Sequence, residues 1–389
     1  MLKRVAIIGA GISGLTAGYA LTKKGIQVDI FERSQSIDEF GAGITLSKNA
    51  TSLLDDIGLL GSIAAKGYRP LGSYIRDFKT TKVISSMKLD KNFITIDRRN
   101  LVEELFNRSQ ELGCNILLNT TIESIDASKG IVNSSSNSQA KYDLILICDG
   151  INSIVRQSLF GGQKPKFTGY VAWRGMTTKE AVPLYEGSMK ANVYYGPGAH
   201  FVHYPTGLDD KINFLMIERS SIWTEESWKL EGDKSDFLNR FEGWNKDIVS
   251  MLNTADKIYK WGIFERSLPK KLFSEKCVLL GDAAHPMVPF LGQGGCMAVE
   301  DAYCLSSLVT EKKYIHEALT KYDQLRNARC KWIQRRSRLQ GIFNHVSSPF
   351  IVPVRNIFAK FTMKLTVEKL HSYNSVSYTH LRAHETYVH

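Results

Sequence analysis

Residues 3–14 read KRVAIIGAGISG, a short apolar run that ends in the pattern Gly-x-Gly-x-x-Gly. The run predicts a β-strand, the periodicity of residues 14–24 predicts a helix, and residues 27–31 predict a second strand. Strand, helix and strand within roughly thirty residues form a βαβ unit, whose helix N-terminus binds phosphate groups. This stretch therefore predicts an α/β fold with a Rossmann-like dinucleotide-binding domain.

Each glycine of the pattern has its own task in such a site. Gly9 permits the tight turn, Gly11 lets a pyrophosphate approach the backbone, and Gly14 allows close packing of the helix, with Ser13 beside it. Glu32 follows the second strand, where its carboxylate can accept hydrogen bonds from a ribose hydroxyl. Because a carboxylate would repel a 2′-phosphate, we expect FAD or NAD rather than NADP as the tightly bound nucleotide.

A different sequence pattern interrupts the nucleotide-binding segments. Apolar runs at residues 141–150 and 276–285 end in Gly or Asp and predict further parallel strands. Between them, residues 168–220 alternate polar and apolar side chains and are rich in Trp and Tyr, which predicts an antiparallel sheet with one covered face. Helical periodicity dominates from Gly295 to about residue 345.

Later motifs separate FAD from NAD. GDAAHP at residues 281–286 precedes GQGG at 292–295 and EDA at 300–302, DGINSIVR occupies 149–156, and Arg98 lies in the phrase IDRRNL. In this order they resemble the motifs of the aromatic-hydroxylase branch of the FAD monooxygenases, whose members include p-hydroxybenzoate, salicylate and urate hydroxylases and zeaxanthin epoxidase. The resemblance covers roughly residues 3 to 345.

The resemblance also implies where the flavin binds. Asp282 would accept hydrogen bonds from the ribityl hydroxyls, and the loop before residue 296 would direct the positive end of a helix at flavin N1 and the C2 carbonyl. Arg98 would contact the flavin, with the neighbouring Arg99 as the alternative. Together with the βαβ unit it gives the predicted cofactor-binding residues Gly9, Gly11, Ser13, Gly14, Glu32, Arg33, Gly43, Arg98, Asp149, Asp282, Pro289, Gly292, Gly294 and Gly295.

The activity implied by the resemblance is monooxygenation of an aromatic or other electron-rich ring. NADH or NADPH reduces FAD, and O2 then gives a flavin hydroperoxide that transfers one oxygen atom. Because the cofactor carries the chemistry, we expect neither a metal site nor a catalytic triad. Epoxidation or antibiotic modification on the same fold, or redox regulation of a partner without turnover, are the alternatives.

Substrate specificity is expected in the alternating segment. Residues 199–205 place His203 on one strand face and Tyr204 on the other, so only one of the two faces can meet the substrate. We predict His203 as general base, because a neutral imidazole can accept a phenolic proton; a histidine that is merely part of the sheet is the alternative. Tyr204, Arg174 and Pro289 complete the predicted catalytic set, Arg174 as a partner for a substrate carboxylate or carbonyl unless it forms a salt bridge.

These patterns predict a discontinuous domain organisation. The FAD-binding domain would comprise residues 1–165 and 260–345, a β-sheet substrate domain residues 166–259, and a C-terminal helical segment residues 346–376. The last residues, 377–389, resemble translated adapter sequence and are predicted to be a non-native tail.

Composition limits location and partners. Six scattered cysteines and the absence of a signal sequence or long apolar run predict a cytoplasmic protein without a transmembrane segment. The net charge is +11, and residues 326–364 hold nine Lys or Arg and no acidic residue. No nucleic-acid-binding module is recognisable, so this basic region predicts a solvated helix face or attraction of an anionic substrate, nicotinamide dinucleotide or membrane surface. We expect a monomer or homodimer.

Overall fold

The structure is a computed structural model that describes residues 2–37, 42–136, 139–183, 190–207, 209–222, 224–225 and 230–373, with backbone only for residues 361–365. The strands, in chain order, are β1 Arg4–Ile8, β2 Gln27–Phe31, β3 Gly43–Leu46, β4 Gly72–Asp77, β5 Val83–Lys88, β6 Ile94–Asp97, β7 Asn115–Leu117, β8 Ile122–Asp126, β9 Ile131–Ser134, β10 Gln139–Lys141, β11 Leu144–Ile147, β12 Lys166–Thr178, β13 Ala191–Gly196, β14 Ala199–Pro205, β15 Lys211–Arg219, β16 Ile258–Glu265, β17 Phe273–Ser274 and β18 Cys277–Leu279.

Most of the helices flank these strands or follow them at the end of the chain. They are α1 Ile12–Thr22, α2 Lys48–Asp56, α3 Leu60–Lys66, α4 Arg98–Glu111, α5 Ile154–Phe160, α6 Lys234–Asn239, α7 Lys246–Asn253, α8 Gly294–Glu311, α9 Ile315–Asn344 and α10 Val352–His371, with short 3-10 turns at Lys179–Ala181, Gly281–Ala283 and Pro289–Leu291.

The first large sheet has the strand order β17-β18-β11-β1-β2-β7. All its pairs are parallel except β17 with β18, as expected for strands covered by helices on both faces. Every β11 side chain is buried and β1 is buried after its first residue, while α1 packs against α8 and α4. The βαβ unit and the two later parallel strands predicted from the sequence are therefore confirmed.

The second large sheet has the order β16-β12-β15-β14-β13-β4-β5. Its pairs are antiparallel except β13 with β4. The predicted segment 166–259 is too short for this sheet, because residues 72–88 add β4 and β5 at one edge and β16 continues to Glu265 at the other. The hydrophobic pattern of residues 72–88 gave no sign that their pairing partner lies a hundred residues later.

The two faces of this second sheet are covered by different elements. One face packs on α6 and α7 through a core that joins Phe201 and Phe214 to Phe237 and Met251. The other face meets the Pro289–Leu291 turn, α9 and α10. We call the latter the inner face, and it is the face that adjoins the nucleotide-binding motifs.

Candidate active site

The sequence motifs meet where the first sheet ends. A Cβ built on Gly281 would lie 2.8 Å from the Ser13 Oγ, so the GDAAHP turn touches the N-terminus of α1. A Cβ on Gly295 would lie 2.5 Å from the Ile44 Cδ1, which places the start of α8 against β3. Segments about 250 to 270 residues apart in the chain thus surround one region.

The N-termini of α1 and α8 have the space and donors that a dinucleotide needs. A Cβ on Gly11 or on Gly294 would have no protein atom within 4 Å, apart from its chain neighbours and, for Gly294, its own helix. Neither helix has a side-chain cap or an acidic residue in its first turn, so their first backbone N–H groups remain available to an anion. Gly14 is different, because its Cβ would lie 2.0 Å from the Gly9 carbonyl oxygen and would break the turn.

Two carboxylates border this region. Glu32 accepts hydrogen bonds from the backbone N–H groups of Ala10, at 2.8 Å, and Ser34, at 2.9 Å, and so fixes the glycine loop. Asp149 has a buried Oδ1 with no hydrogen-bond partner among the described residues. Burial raises the pKa of Asp149, while a hydrogen bond with Ser153 opposes the rise. A buried oxygen without a hydrogen-bond partner costs free energy, because it has lost its water. The Oδ1 of Asp149 is therefore suited to accept a hydrogen bond from a hydroxyl of a bound nucleotide.

The remaining predicted cofactor residues lie around the same region. Asp282 is exposed on the GDAAHP turn. Arg33 is exposed near Asp149, and its positive charge acts to lower the pKa of that carboxyl group. Arg98 begins α4 and donates its backbone N–H to the Ala42 carbonyl at 2.8 Å, next to β3. Asp282, Arg33 and Arg98 stay predicted contacts of the cofactor.

Arg156 of the DGINSIVR motif is a buried structural residue. Its guanidinium donates to the carbonyls of Ala283 and Ala284, at 2.9 and 3.0 Å, and to the Ser267 carbonyl. Its side chain is almost fully buried. Arg156 therefore acts on the cofactor site by holding the GDAAHP turn. Because it is buried and bonded to backbone carbonyls, it is not part of a surface ion pair.

A buried charge network supports the same turn from α8 and α9. Asp301 accepts from the Gly281 N–H at 2.8 Å, from His285 Nε2 at 2.5 Å and from Arg326 Nε at 2.6 Å. Arg326 also binds Glu300 at 2.5 Å. Burial lowers the pKa of His285, but the charge of Asp301 outweighs burial and raises that pKa well above its usual value. Burial likewise raises the pKa of Asp301, but the charges of His285 and Arg326 outweigh it and hold that pKa below its usual range.

This network also explains a cluster with metal-like composition. Ligand atoms of His285, Asp301 and Cys330 lie within 4.8 Å of one another, and all three residues are buried. Arg326 already occupies the second oxygen of Asp301 and brings a positive charge there. The cluster is therefore a structural ion-pair network rather than a suitable cation site.

The inner face of the second sheet carries the polar groups that can meet a substrate. Tyr204 and Asn213 are neighbours on β14 and β15, and both pack against Gly43, whose N–H donates to the Asn213 side chain at 2.8 Å. Arg174 lies on the same face with its guanidinium 5.0 Å from the Trp261 ring centroid. Burial raises the pKa of Tyr204, and the charge of Arg174 opposes the rise. Tyr204 is thus a protonated hydroxyl near a cation.

The prediction that the His203 side chain faces the substrate as a general base is wrong, because this side chain lies on the opposite face of the sheet. His203 stacks on Tyr194, with ring centroids 5.9 Å apart, and adjoins Phe201 in the core beneath α6 and α7. That is the face turned away from the Pro289–Leu291 turn. Strand alternation was read correctly, but it cannot say which face meets the cofactor, because both faces of this sheet are buried.

Of the two histidines on β14, His200 is the one that occupies the inner face. It lies 3.2 Å from His345, and both rings pack around Phe290. Burial lowers the pKa of His200 well below its usual value, with a further contribution from His345. His200 is therefore neutral, and it helps to hold the turn that carries Pro289.

Comparisons with known proteins agree with this geometry. A family model described as an FAD binding domain matches residues 3–337. The chain belongs to this FAD-binding family. It is 32% identical over 342 residues to aurachin C monooxygenase/isomerase of Stigmatella aurantiaca, covering 83% of this chain and 84% of that protein. It is 28% identical over 357 residues to 3-amino-4-hydroxybenzoate 2-monooxygenase of Streptomyces platensis, covering 87% of each.

Solved structures of flavin enzymes share the fold of this family member. A salicylate hydroxylase substrate complex has a TM-score of 0.82 at 21% identity and covers 97% of each chain. HpxO of Klebsiella pneumoniae, complexed with FAD and uric acid, has a TM-score of 0.79 at 23% identity and covers 91% of this chain and 92% of that one. The predicted family, the mixed α/β fold and FAD as cofactor are confirmed.

Two groups near the site were missed by the sequence analysis. Asn213 shares the inner face with Tyr204, and the alternation of residues 212–219 would have revealed it. Arg266 is buried, donates to the Gln163 carbonyl at 2.8 Å and interacts electrostatically with Asp149. No local motif marks Arg266, because it reaches the site only through tertiary packing.

Proposed function

We propose that this flavoprotein is a monooxygenase that inserts one oxygen atom from O2 into an aromatic or other electron-rich ring, with NADH or NADPH as reductant. The observation that carries the proposal is the convergence of two uncapped helix N-termini, α1 and α8, on a region that faces the polar inner face of the second sheet. Bound there, FAD supplies the redox chemistry and the activation of O2. Relatives named as monooxygenases of aromatic acids support the assignment.

The protein's own contribution is to bind, orient and exclude water. The N–H groups at the start of α1 would hold the pyrophosphate near Gly11, and Asp282 and Asp149 would accept hydroxyl hydrogen bonds. The N-terminus of α8, at Gly294, would place its positive end near the reduced flavin and stabilise its negative charge. Gly43 and Pro289 would form the walls beside the ring system.

The substrate would lie between the Pro289–Leu291 turn and the inner face. Tyr204 keeps its proton because burial raises its pKa, so it would donate a hydrogen bond to an oxygen of the substrate. Arg174 would stabilise a phenolate or carboxylate through its nearby positive charge. A ring held as a phenolate is more electron-rich than the neutral phenol. We infer a ring that carries an ionisable oxygen as the substrate class.

Substrate-stimulated consumption of NADH or NADPH tests the proposal. Purified protein loaded with FAD should consume reductant slowly alone and several-fold faster with one member of a panel of phenolic acids, hydroxypyridines, purines and polyketides, with an oxygenated product. Gly11→Val is the matched control: a Cβ at this position has no protein atom within 4 Å apart from its chain neighbours, and the side chain would occupy the proposed pyrophosphate position, so the variant should fold and lose FAD. A stimulated rate without oxygenated product would contradict the proposal.

Location and assembly are also proposals. All six cysteines are free and buried, which suits the cytoplasm. None of the helices in the described residues is long and apolar enough to cross a membrane. A monomer or homodimer stays a prediction. The predicted tail at residues 377–389 lies outside the described residues.

A further inference from the structure

The end of α9, the start of α10 and the segment between them expose an unusual concentration of apolar side chains. Phe350 is 90% exposed, and the others are 49 to 58% exposed. Seven of the fourteen exposed large hydrophobic side chains in the described residues fall within residues 339–358. The α9–α10 surface consists of Leu339, Ile342, Phe350, Ile351, Val354, Ile357 and Phe358. A cluster of this kind marks an interaction site, whereas scattered exposed side chains do not.

Positive charge borders the α9–α10 surface. Lys331, Arg335, Arg336 and Lys360 are exposed, and Arg335 precedes Leu339 by one helical turn on the same face. Residues 326–364 contain no Asp or Glu. The buried cations of this stretch are already engaged, as Arg326 and Arg329 bind Glu300. The exposed charged side chains that this stretch contributes beside the apolar ones are therefore positive.

This combination of apolar and basic side chains identifies the occupant. A second copy of the chain would bring the same cationic border against itself in a twofold interface, which is unfavourable. An anionic phospholipid bilayer supplies both an apolar interior for the aromatic and aliphatic side chains and negative headgroups for the basic border. The helices lie at the surface and need not cross the membrane.

We propose that the α9–α10 surface docks the protein on an anionic phospholipid bilayer, with Phe350 and Ile351 inserted between headgroups and Arg335, Arg336 and Lys360 paired with phosphate or carboxylate groups. The proposal is independent of the substrate, because the surface consists of side chains outside the inner face. The proposal goes beyond the oxygenation reaction, because it assigns the membrane surface as the place where that reaction occurs.

Vesicle co-sedimentation of the full-length, FAD-loaded protein tests this docking. With vesicles of phosphatidylcholine and phosphatidylserine at about 7:3, we expect at least about tenfold more bound protein than with phosphatidylcholine alone, and less binding as salt rises. The double substitution Phe350→Ser and Ile357→Ser should reduce binding at least about tenfold. The matched control, Leu71→Ser and Ile222→Ser, removes side chains 69% and 74% exposed elsewhere and should leave binding unchanged.

A charge variant separates the two contributions. Arg335→Gln, Arg336→Gln and Lys360→Gln alter only exposed side chains, so the variant should fold, retain FAD and lose the preference for anionic vesicles. Flavin absorbance and thermal melting check every variant. Absence of wild-type binding, or equal binding to neutral and anionic vesicles, would overturn the proposal. So would a dimer that Phe350→Ser splits while no vesicle is bound, because that result assigns the surface to a second copy.

Discussion

Glycines at the nucleotide site fall into two kinds that the sequence pattern does not separate. Gly9, at a φ of 104°, and Gly14 are required by the protein itself, since a Cβ on either would meet a backbone carbonyl oxygen at 2.5 Å or less. Gly11 and Gly294 have open space where a side chain would stand. The first pair shapes the turn, and the second pair leaves room for the cofactor.

Asp282→Ala should weaken FAD binding without unfolding the chain. Asp282 is exposed on the GDAAHP turn, so its substitution would remove the proposed hydrogen bonds to the ribityl hydroxyls and little else. We expect a loss of about 1 to 3 kcal/mol, or roughly 5- to 150-fold in dissociation constant, measured by titrating apoprotein with FAD. The control Asp210→Ala removes another exposed carboxylate. Equal affinities in both variants would remove Asp282 from the site.

Substitutions of Tyr204 and His203, which are neighbours in sequence, should affect different properties: the first the hydroxylation rate, the second the stability of the fold. Tyr204→Phe removes the hydroxyl on the inner face and should slow hydroxylation by about tenfold or more, with FAD binding intact. His203→Ala leaves a cavity beside Tyr194 and should cost about 2 kcal/mol of unfolding free energy with a smaller effect on rate. Single-turnover kinetics and urea unfolding separate the two. A folded, FAD-loaded His203→Ala protein without hydroxylation would restore His203 as base.

At the scale of elements, Arg326 of α9 supports the GDAAHP turn through its buried ion pair with Asp301. Arg326→Met would remove the buried cation that Glu300 and Asp301 share, leaving only Arg329 beside Glu300 and His285 beside Asp301, at a cost of about 3 to 5 kcal/mol in unfolding free energy. Arg338→Met, on the same helix, breaks the partly exposed pair with Glu265 and should cost less than about 1 kcal/mol. Urea unfolding of both variants measures the difference, and similar costs would show that the network contributes no more than a surface pair.

His285 gives the fold a pH dependence above neutrality. Asp301 raises the pKa of His285 in the folded state, so the folded protein keeps a proton that the unfolded chain releases near pH 6.5. The unfolding free energy should therefore decrease as pH rises above about 6.5, by up to about 1.4 kcal/mol per pH unit, until the folded pKa is passed. His285→Gln should lack this part of the slope in urea unfolding between pH 6 and 9. Equal slopes would mean that His285 is neutral when folded.

Sequence reasoning succeeded where local pattern and structure coincide. The βαβ unit with its glycine loop and the parallel strands β1, β2, β11 and β18 follow from short-range signals. It failed where tertiary pairing decides, as with β4 and β5 joining a sheet whose other strands begin at residue 166. It also failed for His203. Alternation defines the two faces of a strand, but both faces of this sheet are buried, so the pattern does not indicate which face meets the cofactor.

At the scale of the whole molecule, the cofactor region is assembled from distant parts. Arg156 ties α5 to the GDAAHP turn, Asp301 ties α8 to the same turn, and Phe290 ties the next turn to α9 at Gly341. A Cβ on Gly341 would lie 2.3 Å from the Phe290 ring. The fold thus anchors both turns by buried contacts, and such anchoring suits an oxygenating flavoprotein, which has to orient a substrate and exclude water.

Isotope incorporation tests the central assignment most directly. With FAD-loaded protein, NADH or NADPH, and a substrate that stimulates reductant consumption, the reaction is run under 18O2 in unlabelled water and the product is analysed by mass spectrometry. The account predicts one 18O atom in each product molecule, one reductant oxidised per product, and no product with Gly11→Val. Product oxygen derived from water, or reductant consumption that yields only hydrogen peroxide with every substrate that stimulates it, would contradict it.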